Sequence, residues 1–358
     1  MNITFLIGNG FDIGLGLKSR FSDYFPVYLT QSLEKDVSLP QFAKKVDKNR
    51  DEWSYFERQL GIYTQEFTTD TKQLFYDQVK DFQLGFIQYL ESQESNLDFS
   101  NQSRISAMMK KALIEYRMSS NLSNSSSLTL NEIYKKHISS PCFFNFINYN
   151  YTSLLDRCVE TIDKGTVTTR TVAGSYKIDQ IGKCIHVHGK KDSYPIMGVN
   201  DISQIKNEAL AQDKNFARRI VKPLVNAAHR TLHEQECSDL ITASHIIVVY
   251  GMSLGETDKL WWNKIIKWLH DEVDRQLVIF VYDKEYNASC QFDFLNKEDS
   301  IIDTLAEYNE NKEIQVEEMR ERIHIAVQKN IFELNLAIER EDAMEKATDI
   351  VWSATATV

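Results

Sequence analysis

The chain has 358 residues, 42% of them hydrophobic and 26% charged, a balance that excludes a disordered, collagen-like or disulfide-framework protein. Its 13 glycines and 5 prolines fall below the average usage of about 7% and 5%, which argues against a turn-rich sandwich or propeller and for a helix-rich chain. A formal charge of −10 gives a bulk field that does not attract nucleic acid.

The opening Met1-Asn-Ile-Thr carries no basic leader, and no apolar run approaches the roughly 18 residues of a membrane span. The five cysteines, Cys142, Cys158, Cys184, Cys237 and Cys290, lie singly and never as C-x-x-C. That pattern fits a reducing compartment and lacks zinc-ribbon spacing. A cytoplasmic protein without membrane contact is expected.

Ile3 to Ile7 reads as a buried strand broken by Gly8-Asn9-Gly10. Gly8, Gly10, Gly14 and Gly16 crowd into the first sixteen residues. The run resembles G-x-G-x-x-G, with its third glycine one residue late. Such a turn lets backbone N–H groups approach an anion at a helix start, or it is a close-packed turn that holds no ligand. Asp12 repels phosphate, so its use is as a ribose-hydroxyl acceptor or as an acid near the reacting carbon. No P-loop lysine follows.

From Gly16 to about residue 118 the apolar spacing is helical, with Phe75, Val79, Phe82 and Phe86 on one face of the segment Leu74 to Leu90. Ser119 to Ser127 reads as a polar loop and the clearest joint in the chain.

Strand signals resume after Pro141: Phe143 to Tyr149, Val167 to Val172 as half of a hairpin, Ile185 to His188, Ile196 to Val199, His245 to Tyr250, Leu277 to Tyr282 and Ile323 to Val327. The first of these ends in Asn148-Tyr149-Asn150-Tyr151-Thr152. Asn150 donates and accepts at once and so can hold a ribose hydroxyl or a water, or it caps the next helix. His186 and His188 share a strand face, and His188, beside Gly189, is the better base. Two histidines at this spacing can also bind metal, but no third ligand is read nearby and no metal is expected.

After the strand ending at Tyr250, Ser253 and Glu256 stand at capping-box spacing before a helix from Asp258 to Leu269. Trp261, Ile265, Trp268 and Leu269 form the core face of that helix. The turn at Gly251 and Ser253 is a second place where backbone donors can meet a phosphate or ribose. The basic cluster Arg218, Arg219, Lys222 and Arg230 reads as a solvated face or a phosphate or nucleic-acid site.

Short apolar strands alternating with helices predict an α/β fold, a mostly parallel Rossmann-like sheet covered on both faces, with a large helical insertion after the first strand. Residues 1–37 and 128–335 would form that domain, 38–127 the insertion ending in the serine-rich loop, and 336–358 a C-terminal helix or tail. An insertion at this point would overhang the carboxyl edge of the sheet, where such folds bind ligands.

Ile7-Gly-Asn-Gly-Phe-Asp-Ile13, Phe146-Ile-Asn-Tyr-Asn-Tyr-Thr152, His188-Gly189, Ile196-Met-Gly-Val-Asn-Asp201 and Tyr250-Gly-Met-Ser-Leu-Gly-Glu-Thr-Asp258 together resemble the bacteriophage abortive-infection family AbiH. The matches are collinear from residue 7 to about 262. That family is similar to the SIR2-like domains of antiviral defence proteins, many of which destroy NAD.

The resemblance implies an antiphage effector with a SIR2-like fold that hydrolyses NAD or a related nucleotide at the glycosidic bond, NAD being substrate rather than bound cofactor. It implies catalytic roles for Asn150, orienting ribose or water, and for His188 as general base. The nucleotide-contacting set would be Gly8, Asn9, Gly10, Asp12, Tyr151, Thr152, Gly251, Ser253 and Asp258. A homo-oligomer and a phage-derived trigger are the expected partners.

Two departures stand out. Thr152 occupies the place of an aspartate that helps hold the nicotinamide amide in SIR2 proteins, a task that Asp12 is placed to assume. The paired C-x-x-C zinc site of sirtuin deacetylases is missing, which argues against deacetylation. The alternative reading is a nucleotide-sensing module that acts through assembly. A third is a toxin that engages nucleic acid through residues 218–230.

Overall fold

The computed structural model describes residues 1–34, 53–191, 193 and 195–338. A seven-stranded sheet is built from β1 (Asn2–Ile7), β2 (Phe143–Asn148), β3 (Thr166–Val172), β4 (Ser175–His186), β5 (Ile246–Tyr250), β6 (Gln276–Val281) and β7 (Ile323–Val327), in the order β3-β4-β2-β1-β5-β6-β7. Every neighbouring pair is parallel except the β3–β4 hairpin. Counted in chain order, the six parallel strands run 3-2-1-4-5-6. The direction of winding reverses between β1 and β5, and such a switch point opens a crevice at the carboxyl ends of the strands.

The central strands are continuous apolar runs because both faces are covered. Ile3, Phe5, Ile246, Val248, Val278 and Phe280 face one side. Leu6, Ile247, Val249, Leu277 and Ile279 face the other, the period of two that a pleated strand imposes. Each such side chain stabilises the fold by roughly 1.5–3 kcal/mol relative to leaving it in water.

The first helices along the chain are α1 (Asn9–Gly14), α2 (Phe21–Glu34), α3 (Trp53–Tyr63), α4 (Lys72–Glu94), α5 (Gln102–Glu115), α6 (Asn124–Lys136) and α7 (Leu154–Glu160). Helices α5, α6 and α7 cover the first face. Helices α2 to α4 build a separate aromatic core instead, with Phe21, Tyr24, Phe56, Phe75, Phe82 and Phe86 packed on Met197, Val199, Phe216 and Ile220. Phe86 of α4 meets Tyr151 edge-on at 6.0 Å, which brings this helical layer to the end of β2. Four helices follow β4 before the next strand: α8 (Glu208–Gln212), α9 (Lys214–Ile220), α10 (Lys222–His229) and α11 (His233–Ala243). With α12 (Lys259–Asp271) and α13 (Gln291–Tyr308), α11 covers the second face. Trp261, Ile265, Trp268 and Leu269 of α12 are core, as their spacing predicts.

Four local expectations need correction. The strand read at Ile185 to His188 ends at His186, so His188 lies in the turn after β4 and shares no strand face with His186. Ile196 to Val199 forms no strand: Val199 makes only an isolated bridge to Val221. The serine-rich stretch is loop only as far as Ser123, whose side chain accepts from the Ser126 N–H at 3.1 Å and starts α6. Ser253 caps nothing, and α12 is entered through a 3-10 turn at Glu256–Asp258 that lacks a side-chain cap. Residues 38–52 of the predicted insertion and 339–358 of the predicted tail lie outside the described residues.

Candidate active site

A cleft of about 1140 Å³ runs across the carboxyl ends of β1, β2, β5, β6 and β7. The structure brings both proposed catalytic residues and the whole expected nucleotide-contacting set to its wall: Gly8, Asn9, Gly10 and Asp12 from the first turn, and Asn150, Tyr151 and Thr152 after β2. His188 after β4 and Gly251, Ser253 and Asp258 after β5 complete the set. The cleft continues past Tyr282 and Asp283 to Gln328 and Asn330, so it is long enough for an extended ligand.

Asn150 is held through its backbone N–H and its side-chain nitrogen. Its backbone N–H donates to Asn148 Oδ1 at 3.0 Å. Its side-chain Nδ2 donates to the Gly8 carbonyl and to Asp12 Oδ1, each at 3.1 Å. A carbonyl can only accept, so this contact fixes which end of the amide is nitrogen. Both amide hydrogens are therefore used, and Oδ1 is left with no hydrogen bond among the described residues, in a residue that lines the cleft.

The loop around Asn150 is fastened from several elements. Tyr151 donates its hydroxyl to the Ile196 carbonyl at 2.8 Å, so only its ring is offered to the cleft. The Tyr151 carbonyl accepts from the Lys191 N–H at 3.0 Å. Glu94, at the end of α4, accepts from the Ser153 N–H and from Lys191 Nζ, both at 3.0 Å.

Asp12 is fully buried and also accepts from the Thr152 hydroxyl at 2.7 Å. Burial dominates its ionisation: against the Thr152 and Asn150 hydrogen bonds, and with help from nearby Glu94, it pushes the carboxyl up to about 7. Asp258 is also pushed up to about 7 by burial, with Lys222 opposing and Glu57 reinforcing. Two carboxyls that titrate near neutrality thus share one cleft.

His188 is buried, and its Nδ1 has no hydrogen-bond partner among the described residues. Burial first, and the Lys222 ammonium second, hold its pKa well below the usual histidine value, so the ring is neutral. The neighbouring Tyr149 ring lies 5.8 Å away, and its hydroxyl is likewise buried without a partner.

The glycine turn works differently from its sequence appearance. The Gly8 N–H donates to the Tyr250 carbonyl at 3.0 Å and the Gly10 N–H to the Gly251 carbonyl at 2.8 Å. These two donors are spent inside the protein rather than offered to an anion. A Cβ on Gly10 would lie 2.5 Å from Gly251 Cα, so the small residues allow the turns after β1 and β5 to touch. Asn9 is engaged as well, through hydrogen bonds with Ser19 at 2.5 and 3.1 Å.

The basic cluster is also divided. Arg218, Arg219 and Arg230 are exposed, whereas Lys222 is buried at the cleft wall in an ion pair with Glu57 of α3.

Glu57, Glu94, Lys191 and Tyr149 escaped the sequence reading. The signal for Glu94 was present: Phe86, Leu90 and Glu94 are spaced by four, so an acid continues an apolar helical stripe.

The expectation that His186 lacks further ligand-type neighbours is overturned. Asp156 of α7 and Cys184 of β4 place their ligand atoms within 4.8 Å of one another and of the His186 ring. The cysteine stands two residues earlier on the same strand face.

The four cleft segments fall within one family description. The model of the family Bacteriophage abortive infection AbiH matches residues 4–282, from β1 to just past β6. No curated protein matches the chain. Among the described residues no helix is long and apolar enough to cross a membrane. The match spans most of the chain and all of the segments that carry Asn150, His188, Asp12 and Asp258: the protein belongs to the bacteriophage abortive infection AbiH family, and that membership supports a role in phage abortive infection.

Proposed function

We propose that the protein is an antiphage effector that hydrolyses NAD or a related nucleotide at the bond between ribose and base. The observation that carries this reading is the pairing of Asn150 Oδ1 with the buried imidazole of His188 on the same cleft: among the described residues neither Asn150 Oδ1, whose amide hydrogens are both tied down, nor His188 Nδ1 has a hydrogen-bond partner. The strand order is that of doubly wound dinucleotide-binding sheets, and the cleft lies at their switch point. This supports the Rossmann-like, SIR2-like description.

The chemistry asks little of a nucleophile. The C–N bond at ribose C1′ breaks and its electron pair leaves with nicotinamide, which departs neutral. The sugar is left as an oxocarbenium-like centre. Asn150 Oδ1 accepts from a ribose hydroxyl or from the attacking water and fixes its direction. As the water oxygen bonds to C1′, its proton passes to neutral His188. Attack on so electrophilic a centre needs only a weak base, which suits a ring whose basicity burial has lowered. The Asp12 carboxylate, held by Asn150 and Thr152, offers negative charge toward the developing cation.

Incubation of the purified protein with NAD tests the reading. Release of nicotinamide and ADP-ribose by wild type, and none by Asn150→Ala, is expected. Intact NAD together with a raised melting temperature would instead mark a nucleotide-sensing module.

A further inference from the structure

Asn150 and His188 stand on separate loops, one after β2 and one after β4, and each is followed three residues on by a group tied to the same carboxyl. That carboxyl belongs to Glu94, the last residue of α4, which is only 5% exposed and is not part of the cleft wall. Its Oε1 accepts from the Ser153 N–H and its Oε2 from Lys191 Nζ, each at 3.0 Å. One oxygen serves each loop.

An acid is unfavourable at this end of a helix, where the backbone dipole is negative, and the last turn of α4 holds no basic residue. The Ser153 N–H opens α7, and in a capping box the acid at the third helical position reaches back to it. Asp156 stands at that position, but its Oδ2 lies 2.7 Å from His186 Nε2 instead. Glu94 supplies the missing acceptor from another helix.

The same face of α4 runs along both loops, since residues 83, 86, 90 and 94 are spaced by three and four. Gln83 donates to the Pro195 carbonyl at 2.5 Å, Phe86 meets the Tyr151 ring at 6.0 Å, and Leu90 lines the cleft. The loops are also tied to each other. The Lys191 N–H donates to the Tyr151 carbonyl at 3.0 Å, and the Ile196 N–H to the His188 carbonyl at 2.8 Å. Among the described residues no hydrogen bond joins Asn150 to His188 directly, so their spacing is set through these ties.

We propose that Glu94 is a positioning residue, which holds the Asn150 loop and the His188 loop together on the end of α4. The proposal rests on the reading that these two residues act on the ligand. It follows from counting acceptors. A carboxyl presents two oxygens, one for each donor, whereas the amide of Glu94→Gln presents one oxygen and turns its NH2 toward the other donor. That variant keeps the shape of the side chain but can hold only one loop.

Misplacing a reacting group by a fraction of an ångström slows the chemical step while the contacts that bind ligand remain. In Glu94→Gln, kcat should fall at least about tenfold with KM changed less than about threefold. Lys191→Met leaves Glu94 on the Ser153 N–H alone and should lose a similar factor. Adding Glu94→Gln to Lys191→Met should cost little more, because the one amide oxygen still serves Ser153.

Amide hydrogen exchange followed by NMR reads the hold on the loops without any turnover. Glu94→Ala should speed exchange at least about tenfold at Ser153, Lys191 and Ile196 alike, with β1 and β5 unchanged. Lys191→Met should speed it at Lys191 and Ile196 and spare Ser153. Loosening of only one loop in Glu94→Ala, wild-type kcat in a folded Glu94→Gln protein, or additive losses in the double variant overturns the proposal. Should wild type cleave no NAD while Glu94→Ala frees both loops, the hydrolase reading fails and the hold of Glu94 on the two loops stands.

Discussion

The Thr152 hydroxyl donates to Asp12 Oδ2 across 2.7 Å, joining the turn after β1 to the loop after β2. The carboxyl at this spot is supplied by Asp12 of α1. Thr152→Val removes the hydrogen bond that most opposes the effect of burial on Asp12. The Asp12 pKa should rise above its value of about 7. Carbon-13 titration of the labelled carboxyl in wild type and variant checks this, and an unmoved midpoint would contradict it.

Gly10→Ala would place a Cβ 2.5 Å from the Gly251 backbone, where no flexible side chain can yield. Gly251 itself has a φ of +69°, a region that side-chain-bearing residues rarely adopt. We expect a loss of about 2–4 kcal/mol in urea unfolding, with ligand binding reduced alongside. A variant of unchanged stability would mean that the two turns separate easily.

Much of the fold was legible because burial on two faces leaves a plain signature. Ile246–Tyr250 is apolar at every position and became a central strand. Ile196 to Val199 carries a similar signature and became none, and its Met197 and Val199 side chains serve the aromatic cluster of α2 to α4 instead. The glycine turn was legible as a location, whereas its reason, contact with Gly251, depends on a strand more than two hundred residues away. Glu57 and Glu94 were hidden for the same cause. Their partners Lys222 and Lys191 lie 165 and 97 residues off, and a lone acid on an apolar stripe does not name its cation.

The Lys222–Glu57 pair is buried at the junction of α3 and α10. Lys222→Met strands the Glu57 carboxylate and should cost roughly 3–5 kcal/mol, most of it regained when Glu57→Leu is added. A double-mutant cycle by chemical denaturation measures the coupling. Lys222 also holds the His188 pKa down, so the single variant should raise it. Additive single and double variants would show that the pair is not coupled.

Asp12 and Asp258 are raised from an ordinary 3.8 to about 7. The folded state therefore keeps protons that the unfolded chain has released. Their contribution to stability is fully present below pH 4 and is lost as pH rises toward about 7. This opposes the usual gain of carboxylate-rich proteins over that range. Asp258→Asn should flatten the decline of melting temperature between pH 5 and about 7, read by thermal unfolding in matched buffers. A variant that parallels wild type would place the Asp258 pKa near its ordinary value.

The central claim is that Asn150 and His188 act together on the ribose–base bond of a nucleotide. Its most direct test is chromatography of NAD incubated with wild type, Asn150→Ala and His188→Ala, each checked for folding by circular dichroism. The account predicts nicotinamide and ADP-ribose in equal amounts from wild type, with either variant reduced by at least about a hundredfold. Full turnover by a folded Asn150→Ala or His188→Ala protein would contradict it.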